Sequence, residues 1–387
     1  MRQLIATNFA YGTGPYLRTV DLAIAFNEEL EKAGRARMNI LVPWVYGEHQ
    51  RKVMTEAFGP HDAKYPGEIL LDDKLGALLN SIFYVGSRSY EIALRQWVGT
   101  YRTVSEAAQK HLSGPIAVAT LGGERITVNG KDIAFELNRA PRVRYDVAPA
   151  YFTSFAYMAE ILERAATVPE IAVDRDLLRQ GVGVAQWVEE HQRIRCIAYP
   201  ATFAYLGDVV APRYPGQLLV PPIAPLPAPN NDPIEPGIFV TITGIPGLER
   251  MYGDAKRLGL KLYSNEPTAV PGSIRALPRI IPNERISFQF ARAGWSSIWM
   301  SMISKTPLVV PAFDAHDDPE IYFNNRSVEE LGLGVVYRGQ PLEEIMEAAP
   351  AIKKSYEKIC GEILRRWGTL DGNQFSARIF AKDFLAP

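Results

Sequence analysis

The chain has 387 residues, 47% of them hydrophobic and 22% charged, and a formal net charge of -1. That length makes two domains the expectation, and the near-neutral balance excludes a global pull toward nucleic acid or anionic lipid. No basic run interleaved with aromatics marks a nucleic-acid groove, no apolar stretch is long enough to span a bilayer, and no His or Cys cluster has metal spacing.

The opening residues, Met1-Arg2-Gln3-Leu4-Ile5-Ala6, reach Thr7-Asn8 too soon for a signal peptide. Cys196 and Cys360 lie far apart, so a reducing cytoplasm is the expected location. Residues 3–10 read as a short strand. A glycine turn at Tyr11-Gly12-Thr13-Gly14 follows, then a helix over 16–33 with Ala23, Phe26 and Leu30 at helical spacing and Gly34 as a stop. Residues 38–42 form a second apolar strand. This βαβ opening predicts a parallel sheet with crossover helices. Residues 115–138 break the pattern: short apolar runs are separated by Gly122-Gly123 and Asn129-Gly130, and Asn-Gly between such runs signals a hairpin, hence a β insertion. Helices are expected at 152–166 and 174–191, and a buried strand at 194–199.

Residues 213–236 are dense in proline, which lacks the N–H and fixes φ, so this stretch reads as a semi-rigid linker. It is either a hinge over a cleft or a plain spacer, and the βαβ pattern on both sides favours the hinge. That pattern restarts with a strand at 238–243, a turn at Gly244, a helix to about 258 and a strand at 260–264. A helix from 294 to 304, a strand at 308–311, a helix at 320–331 and a strand at 335–337 complete a second sheet. Long helices are expected at 342–366 and 375–385.

The densest chemistry lies in Phe290-Ala291-Arg292-Ala293-Gly294-Trp295-Ser296-Ser297, then Pro307-Leu308-Val309-Val310-Pro311, then Asp317-Asp318-Pro319-Glu320 with Asn324. A strand ends in a glycine turn and a helix opens on two hydroxyls. The unpaired N–H groups and partial positive charge of a helix N-terminus suit a phosphate, and Arg292 adds a fixed cation. The acidic loop after the next strand suits the hydroxyls of a sugar. At these residues the chain resembles the GT-B glycosyltransferases, in the style of the UDP-glycosyltransferases and the lipid-linked GlcNAc transferases. Their donor signature runs His-x-Gly-Trp-Asn-Ser, a Glu three residues on, a Gly-x-Pro, an apolar strand ending in Pro, and Asp-Gln-x-x-Asn. Gly294, Trp295, Ser297, Pro307, Pro311 and Asn324 match it; Arg292 stands at the His, Ser296 at the Asn and Glu320 at the Asp. Met300 replaces the ribose-clamping Glu, Ile321 replaces the Gln, and Gly14-Pro15-Tyr16 holds no counterpart of the catalytic His that these families often place after the first glycine turn.

The resemblance implies two Rossmann-like domains facing across a cleft: an acceptor-binding domain over 1–212, the linker at 213–236, a donor-binding domain over 237–370, and a helix at 371–387 that crosses back to the first domain. It implies transfer of a sugar from a nucleoside-diphosphate donor to an acceptor hydroxyl, inverting, with no metal and no cofactor. Arg292, Gly294, Ser296, Ser297 and Gly244 would hold the diphosphate, and Glu320, Asp318 and Asn324 the sugar. The glycine loop of Gly12, Thr13 and Gly14 would lie on the acceptor side. Each has a plainer reading: a surface ion pair for Arg292, helix capping for the serines, a core position for Trp295, and simple strand ends for the glycines. Asp314, Asp317, Asp318 and Glu320 with His316 read either as a metal site or, more simply, as a solvated acidic loop. An inverting route needs a base. The N-terminal half offers Asp21, His49, His61, Asp72, Asp73 and Glu91; of these His49, after a strand and the Pro43-Trp44-Val45-Tyr46-Gly47 turn, and Asp21 are the catalytic candidates. Arg88, Arg95 and Arg102 recur every seven residues beside Phe83, Tyr84, Ile92, Trp97 and Tyr101, either as an interfacial helix touching a membrane or as an ordinary amphipathic helix. The alternatives to a glycosyltransferase are a non-hydrolysing nucleotide-sugar 2-epimerase and a non-catalytic nucleotide-sugar-binding protein. The sequence names neither sugar, base nor acceptor.

Overall fold

In a computed structural model the described residues are 2–9, 13–44, 47–80, 82, 89–207, 212–241 and 248–386. The chain divides into two compact units. The first comprises Met1–Ala198, Pro212–Ile223 and Asn373–Pro387; the second comprises Tyr199–Ala211 and Ala224–Gly372.

The first unit begins β1 (Leu4–Phe9), α1 (Thr13–Lys32), β2 (Asn39–Pro43), α2 (Glu48–Lys64), β3 (Ile69–Asp72), α3 (Asp73–Asn80) and α4 (Tyr90–Leu112). It continues with β4 (Pro115–Thr120), β5 (Arg125–Asn129), β6 (Ile133–Arg139), β7 (Ala150–Ser154), α5 (Met158–Ala165), α6 (Arg175–Glu189), β8 (Ile194–Ala198) and β9 (Gln217–Val220). These nine described strands form one sheet in the order β5-β4-β3-β2-β1-β6-β7-β8-β9. Only β4 runs against the other strands, being antiparallel to both β3 and β5. β1 is buried along its whole length, as expected of a central strand with helices on both faces.

Several expectations change here. The hairpin turn is Gly122-Gly123, where Gly123 at φ 93 takes a conformation that L side chains rarely adopt. Asn129-Gly130 instead opens a short 3-10 turn, with the Asn129 side chain accepting from Lys131 N. It delivers the chain to β6, which is no part of an insertion but lies beside β1 at the sheet centre. Residues 152–154, expected as the start of a helix, belong instead to the strand Ala150–Ser154, because Tyr151, Phe152 and Thr153 suit a fully buried strand between β6 and β8. Within the proline-rich stretch, Gln217–Val220 lies between Pro215 and Pro221 and forms the edge strand β9. An edge strand needs a ladder on one side only, and no proline falls within these four residues.

The second unit contains β10 (Gly237–Val240), α7 (Glu249–Arg257), β11 (Lys261–Ser264), β12 (Ile274–Arg275), β13 (Ile286–Phe290) and α8 (Trp295–Ser304). β14 (Leu308–Pro311), α9 (Pro319–Glu330), β15 (Val335–Tyr337) and α10 (Leu342–Trp367) follow. The last helix, α11 (Gly372–Phe384), belongs to the first unit from Asn373 onward. There Asp383 accepts from Tyr151 Oη at 2.7 Å, and Phe380 stacks on the Tyr151 ring. The second sheet is wholly parallel, in the order β12-β11-β10-β13-β14-β15. Its core packs Ile238, Val240, Met251, Phe288, Phe290 and Val309 into one buried cluster.

The boundary near 212 also changes. Residues 199–207 pack into the second unit, where Pro200 O accepts from Trp299 Nε1 at 2.8 Å and Thr202 O from Ser327 Oγ at 2.9 Å. Among the described residues no helix is long and apolar enough to cross a membrane.

Candidate functional site

In each sheet the strand order reverses at one place. The chain leaves β10 for β11 and β12 on one side, then returns to β13, β14 and β15 on the other. In the first sheet the reversal falls between β1 and β6. Loops diverge at such a point, and open parallel sheets bind ligands outside the carboxyl ends of the strands there.

The turn after β13 holds the sequence Ala291-Arg292-Ala293-Gly294 and opens directly into α8. Gly294 N donates to Arg292 O at 2.7 Å, and Gly294 O accepts from Ser297 N and Ile298 N at 2.9 and 3.1 Å. Gly294 is the N-cap and offers no side chain to the first turn. Its backbone is extended, at φ -90 and ψ 139, so no left-handed conformation demands glycine. A Cβ built on it would meet nothing within 4 Å. The absent side chain therefore leaves open space at the positive end of α8, where an anion is favoured. Arg292 precedes Gly294 by two residues, and Ser296 and Ser297 follow it in the first turn of α8; all three are partly buried.

The loop after β14, the neighbouring strand, carries the acids. Asp318 is the N-cap of α9: its Oδ1 accepts from Glu320 N at 3.0 Å, and Pro319 takes the first helical position, where no N–H is missed. Glu320 Oε1 accepts from Asn324 Nδ2 at 3.0 Å. Asn324 itself is fully buried. Its Nδ2 also donates to Ala293 O at 2.6 Å, and its Oδ1 accepts from Trp295 Nε1 at 2.8 Å. Asn324 is thus a staple between α9 and the Gly294 turn, and the expected sugar contact is corrected: both ends of its amide are already engaged inside the protein. Trp295, 1% exposed, is a core residue whose Nε1 is shared with Thr202 Oγ1 at 3.1 Å. It cannot offer a face to a base or sugar.

Arg292 Nη2 donates to Asp317 Oδ1, so the two loops are joined by an ion pair as well. The pairing of Asp317 with Arg292 was not expected, since a contact across 25 residues leaves no trace in local sequence pattern. Gly244 lies outside the described residues. No group of three His, Cys, Asp or Glu among the described residues could hold a metal ion.

The first unit places its candidates less compactly. Gly12 lies outside the described residues, and Thr13 and Gly14 belong to the first turn of α1 rather than to a loop. Asp21, about two turns further along α1, pairs with Arg18 at 2.9 Å. His49 sits in the first turn of α2, and its side chain lies outside the described ones. His61 contacts Glu68 Oε1 at 3.0 Å, just before β3 and so at the amino edge of the sheet, away from the ligand-binding edge. Glu68 is fully buried; burial pushes its pKa up, but hydrogen bonds from Arg37, His61 and Asn27 outweigh that and bring it to about 2. Asp72 ends β3 at the carboxyl edge. Its Oδ1 accepts from Leu75 N at 2.9 Å and its Oδ2 lies 2.8 Å from His111 Nε2. His111, in the last turn of α4, was not singled out in the sequence, because the two residues are 39 positions apart.

On α4, Trp97 is buried and donates to Arg142 O at 2.6 Å, while Arg95 is exposed and pairs with Glu91. Arg88 lies outside the described residues.

No family model matches the chain, and no curated protein matches it in sequence. Solved structures do match in fold. A UDP-glucosyltransferase from Polygonum tinctorium, capable of glucosylating indoxyl, aligns with a TM-score of 0.59 at 12% identity, covering 99% of this chain and 98% of its own. CalG4, the calicheamicin glycosyltransferase, aligns at 0.57 and 13% identity over 100% of both chains. A ugt transferase from Siraitia grosvenorii, solved in complex with UDP, aligns at 0.54 and 12% identity over 99% of both. From end to end, the chain has the fold of these glycosyltransferases.

Proposed function

We propose that this protein transfers a sugar from a nucleoside-diphosphate donor to an acceptor hydroxyl. The observation that carries the reading is the open space left by Gly294 at the N-terminus of α8, beside Arg292 and two serines, where the strand order of the second sheet reverses. A diphosphate there meets the first-turn N–H groups of α8, a helix dipole and a guanidinium. The full-length fold likeness to glycosyltransferases, one solved with UDP, supports the same reading.

In the reaction, the acceptor oxygen attacks the anomeric carbon and the bond from that carbon to the diphosphate oxygen breaks. The acceptor proton passes to a base, and the leaving diphosphate gains one negative charge. Arg292 and the α8 N-terminus stabilise that charge in a fixed geometry. The first unit supplies the base, with Asp21 in α1 and His49 in the first turn of α2 as its candidates, and the segment Gly12-Thr13-Gly14 lies on the acceptor side. Glu320 and Asp318 serve the donor sugar and Gly244 the diphosphate. No resident cofactor or metal is part of this scheme. A cytoplasmic location and a peripheral membrane contact through α4 are further parts of the reading, the latter drawn from the 58% exposure of Ile92 beside Arg95.

The test is a melting-temperature screen against UDP-, GDP-, dTDP- and CMP-sugars, followed by product analysis with the stabilising donor and a panel of phenolic and sugar acceptors. A new glycoside supports the proposal. An epimerised sugar nucleotide, or binding with no product, replaces it with epimerisation or with a purely binding role.

A further inference from the structure

The C-terminal end of α10 borders an open cavity of about 420 Å³ that the donor scheme does not use. Tyr199, Glu362, Arg365, Arg366 and Trp367 line it, and all of them belong to the second unit. Its volume falls within the range of small-molecule sites, roughly 300–1,000 Å³. We propose that this cavity is a second ligand site, which takes a flat aromatic molecule bearing one carboxylate. The inference is independent of the donor reading above, because no residue of the α8 turn or of the acidic loop takes part.

Elsewhere in the unit, Arg257, Arg326 and Arg338 each pair with a carboxylate. Arg365 and Arg366 pair with none among the described residues. Glu362 precedes them on α10 at the spacing where helical ion pairs form, yet no such pair is made. Arg365 Nε donates to Gly361 O at 3.3 Å within its own helix, which leaves the Nη groups for another acceptor. The Arg366 guanidinium lies over the Trp367 ring, 4.5 Å from its centroid. A guanidinium over a ring is held through its face and keeps its N–H edges for a planar acceptor. A carboxylate matches that fork.

The rings account for the aromatic part. Trp295 and Trp299 donate their Nε1 to protein oxygens at 2.8 Å. The Nε1 of the half-buried Trp367 has no such partner among the described residues. The Trp367 and Tyr199 rings lie 6.2 Å apart between centroids, tilted by 43°, so a flat ligand meets two aromatic surfaces in one cavity. With Arg365 and Arg366 against Glu362, the lining carries one net positive charge. That balance suits a single carboxylate better than a phosphate dianion. The basic last turn also complements the carbonyl end of α10, but that role needs neither the Tyr199 ring nor an indole N–H left for a ligand.

The test is calorimetry on the full chain with 1-naphthoate, with acetate as the anion alone and 1-naphthalenemethanol as the ring alone. Circular dichroism and melting curves confirm that each variant folds. The parent should bind naphthoate with a Kd on the order of 100 μM, and both fragments at least about tenfold more weakly. The double change Arg365→Gln with Arg366→Gln should weaken naphthoate about tenfold, and Trp367→Leu about fivefold. Glu362→Gln should tighten naphthoate about twofold and the dianion 1-naphthyl phosphate about fourfold. No binding of naphthoate by the parent overturns the inference. So does an affinity within about twofold of the parent's in the double variant, which would leave the arginines to the carbonyl end of α10 alone. Acetate bound as tightly as naphthoate overturns it too, as a charged patch with no aromatic recognition. UDP titrated into the same variants should bind as it does to the parent; its loss with the two arginines would make this cavity part of the donor site and not a second one. Failure of UDP to bind any of the chains sinks the donor reading and leaves the naphthoate result standing.

Discussion

The two sheets share a plan and differ in how their carboxyl edges are furnished. Both reverse strand order once, between β1 and β6 and between β10 and β13. At the second reversal, one turn and one loop on adjacent strands are joined through Arg292–Asp317 and through Asn324, around open space at a helix N-terminus. In the first unit the polar groups are dispersed: Asp21 pairs within its own helix, about two turns from the carboxyl end of β1, and Asp72 and His111 form a buried pair two strands away from β1. Diphosphate recognition needs a standard set of donors in a fixed arrangement, and a short segment can supply it. Acceptor recognition has no such common chemistry, so the first unit is not expected to concentrate it in a motif.

The sharpest way to break the second arrangement is to remove the staple. Asn324→Ala deletes hydrogen bonds to Ala293 O, Trp295 Nε1 and Glu320. It leaves buried polar partners unsatisfied, so a stability loss of about 3 kcal/mol is expected by urea denaturation. The same variant should lose donor binding well below its melting point, because the Gly294 turn is no longer tied to α9. Normal stability would show that Asn324 is dispensable to the turn.

A comparable effect distinguishes the first unit by pH. Glu189 is 2% exposed, and burial pushes its pKa up to about 7 even though Tyr214 Oη and the N–H groups of Ala159 and Met158 donate to it. Between its ordinary value of 4.5 and about 7, the folded chain holds a proton that the unfolded chain has released. Stability from this group is therefore fully present below pH 4.5 and falls as pH rises to about 7, by about 3 kcal/mol in all. Glu68 acts in the opposite sense and at lower pH: with its pKa near 2, its contribution is present above about 4.5 and lost as pH falls toward 2. Glu189→Gln should flatten the unfolding free energy between pH 5 and 8. An unchanged slope would assign that pH dependence to other groups.

These contrasts also show what could be read from the chain alone. The strand-turn-helix at 286–304 was legible because its signals are local: β-branched and aromatic residues, then Gly294, then a helical run. The helix after the acidic loop was legible from the same kind of local run, but Asp318, read there as a sugar ligand, is its N-cap and Pro319 its first residue. What was not legible depends on distance in sequence. Asn324 looks like a ligand until Ala293 and Trp295 are seen on either side of its amide. The strand Gln217–Val220 is hidden by flanking prolines, and residues 199–207 read as part of the first domain although Trp299 and Ser327 bind their carbonyls in the second unit. Pairings such as Asp72 with His111 arise from helix and strand packing, which no periodicity records.

Within the second site the next largest effect should come from Arg292. Arg292→Ala removes a charge-assisted contact to phosphate, and nucleoside-diphosphate affinity should fall by about 2 kcal/mol, roughly thirtyfold. Asp21→Asn, at the other sheet, should leave that affinity within about twofold and lower turnover instead, if Asp21 is the base. Calorimetry on both variants separates the units. Equal weakening by the two changes would mean that the donor is not held by the α8 turn alone.

The smallest effect should come from Gly294→Ala, and it isolates the open space. A Cβ at this position meets no protein atom within 4 Å, and the backbone is one that any residue adopts. Alanine is a poorer N-cap than glycine, by about 1 kcal/mol, but it also removes glycine's extra freedom from the unfolded chain, which offsets about 0.4–1 kcal/mol, so the melting curve should barely move. The added methyl group, however, stands where the diphosphate would approach the first-turn N–H groups. Nucleotide affinity should fall by about 1 kcal/mol, roughly fivefold, through lengthened hydrogen bonds. Glycine is then kept here for the ligand and not for the fold. If affinity is unchanged while stability is also unchanged, no anion approaches α8 along this face, and the site must be sought elsewhere on the carboxyl edge.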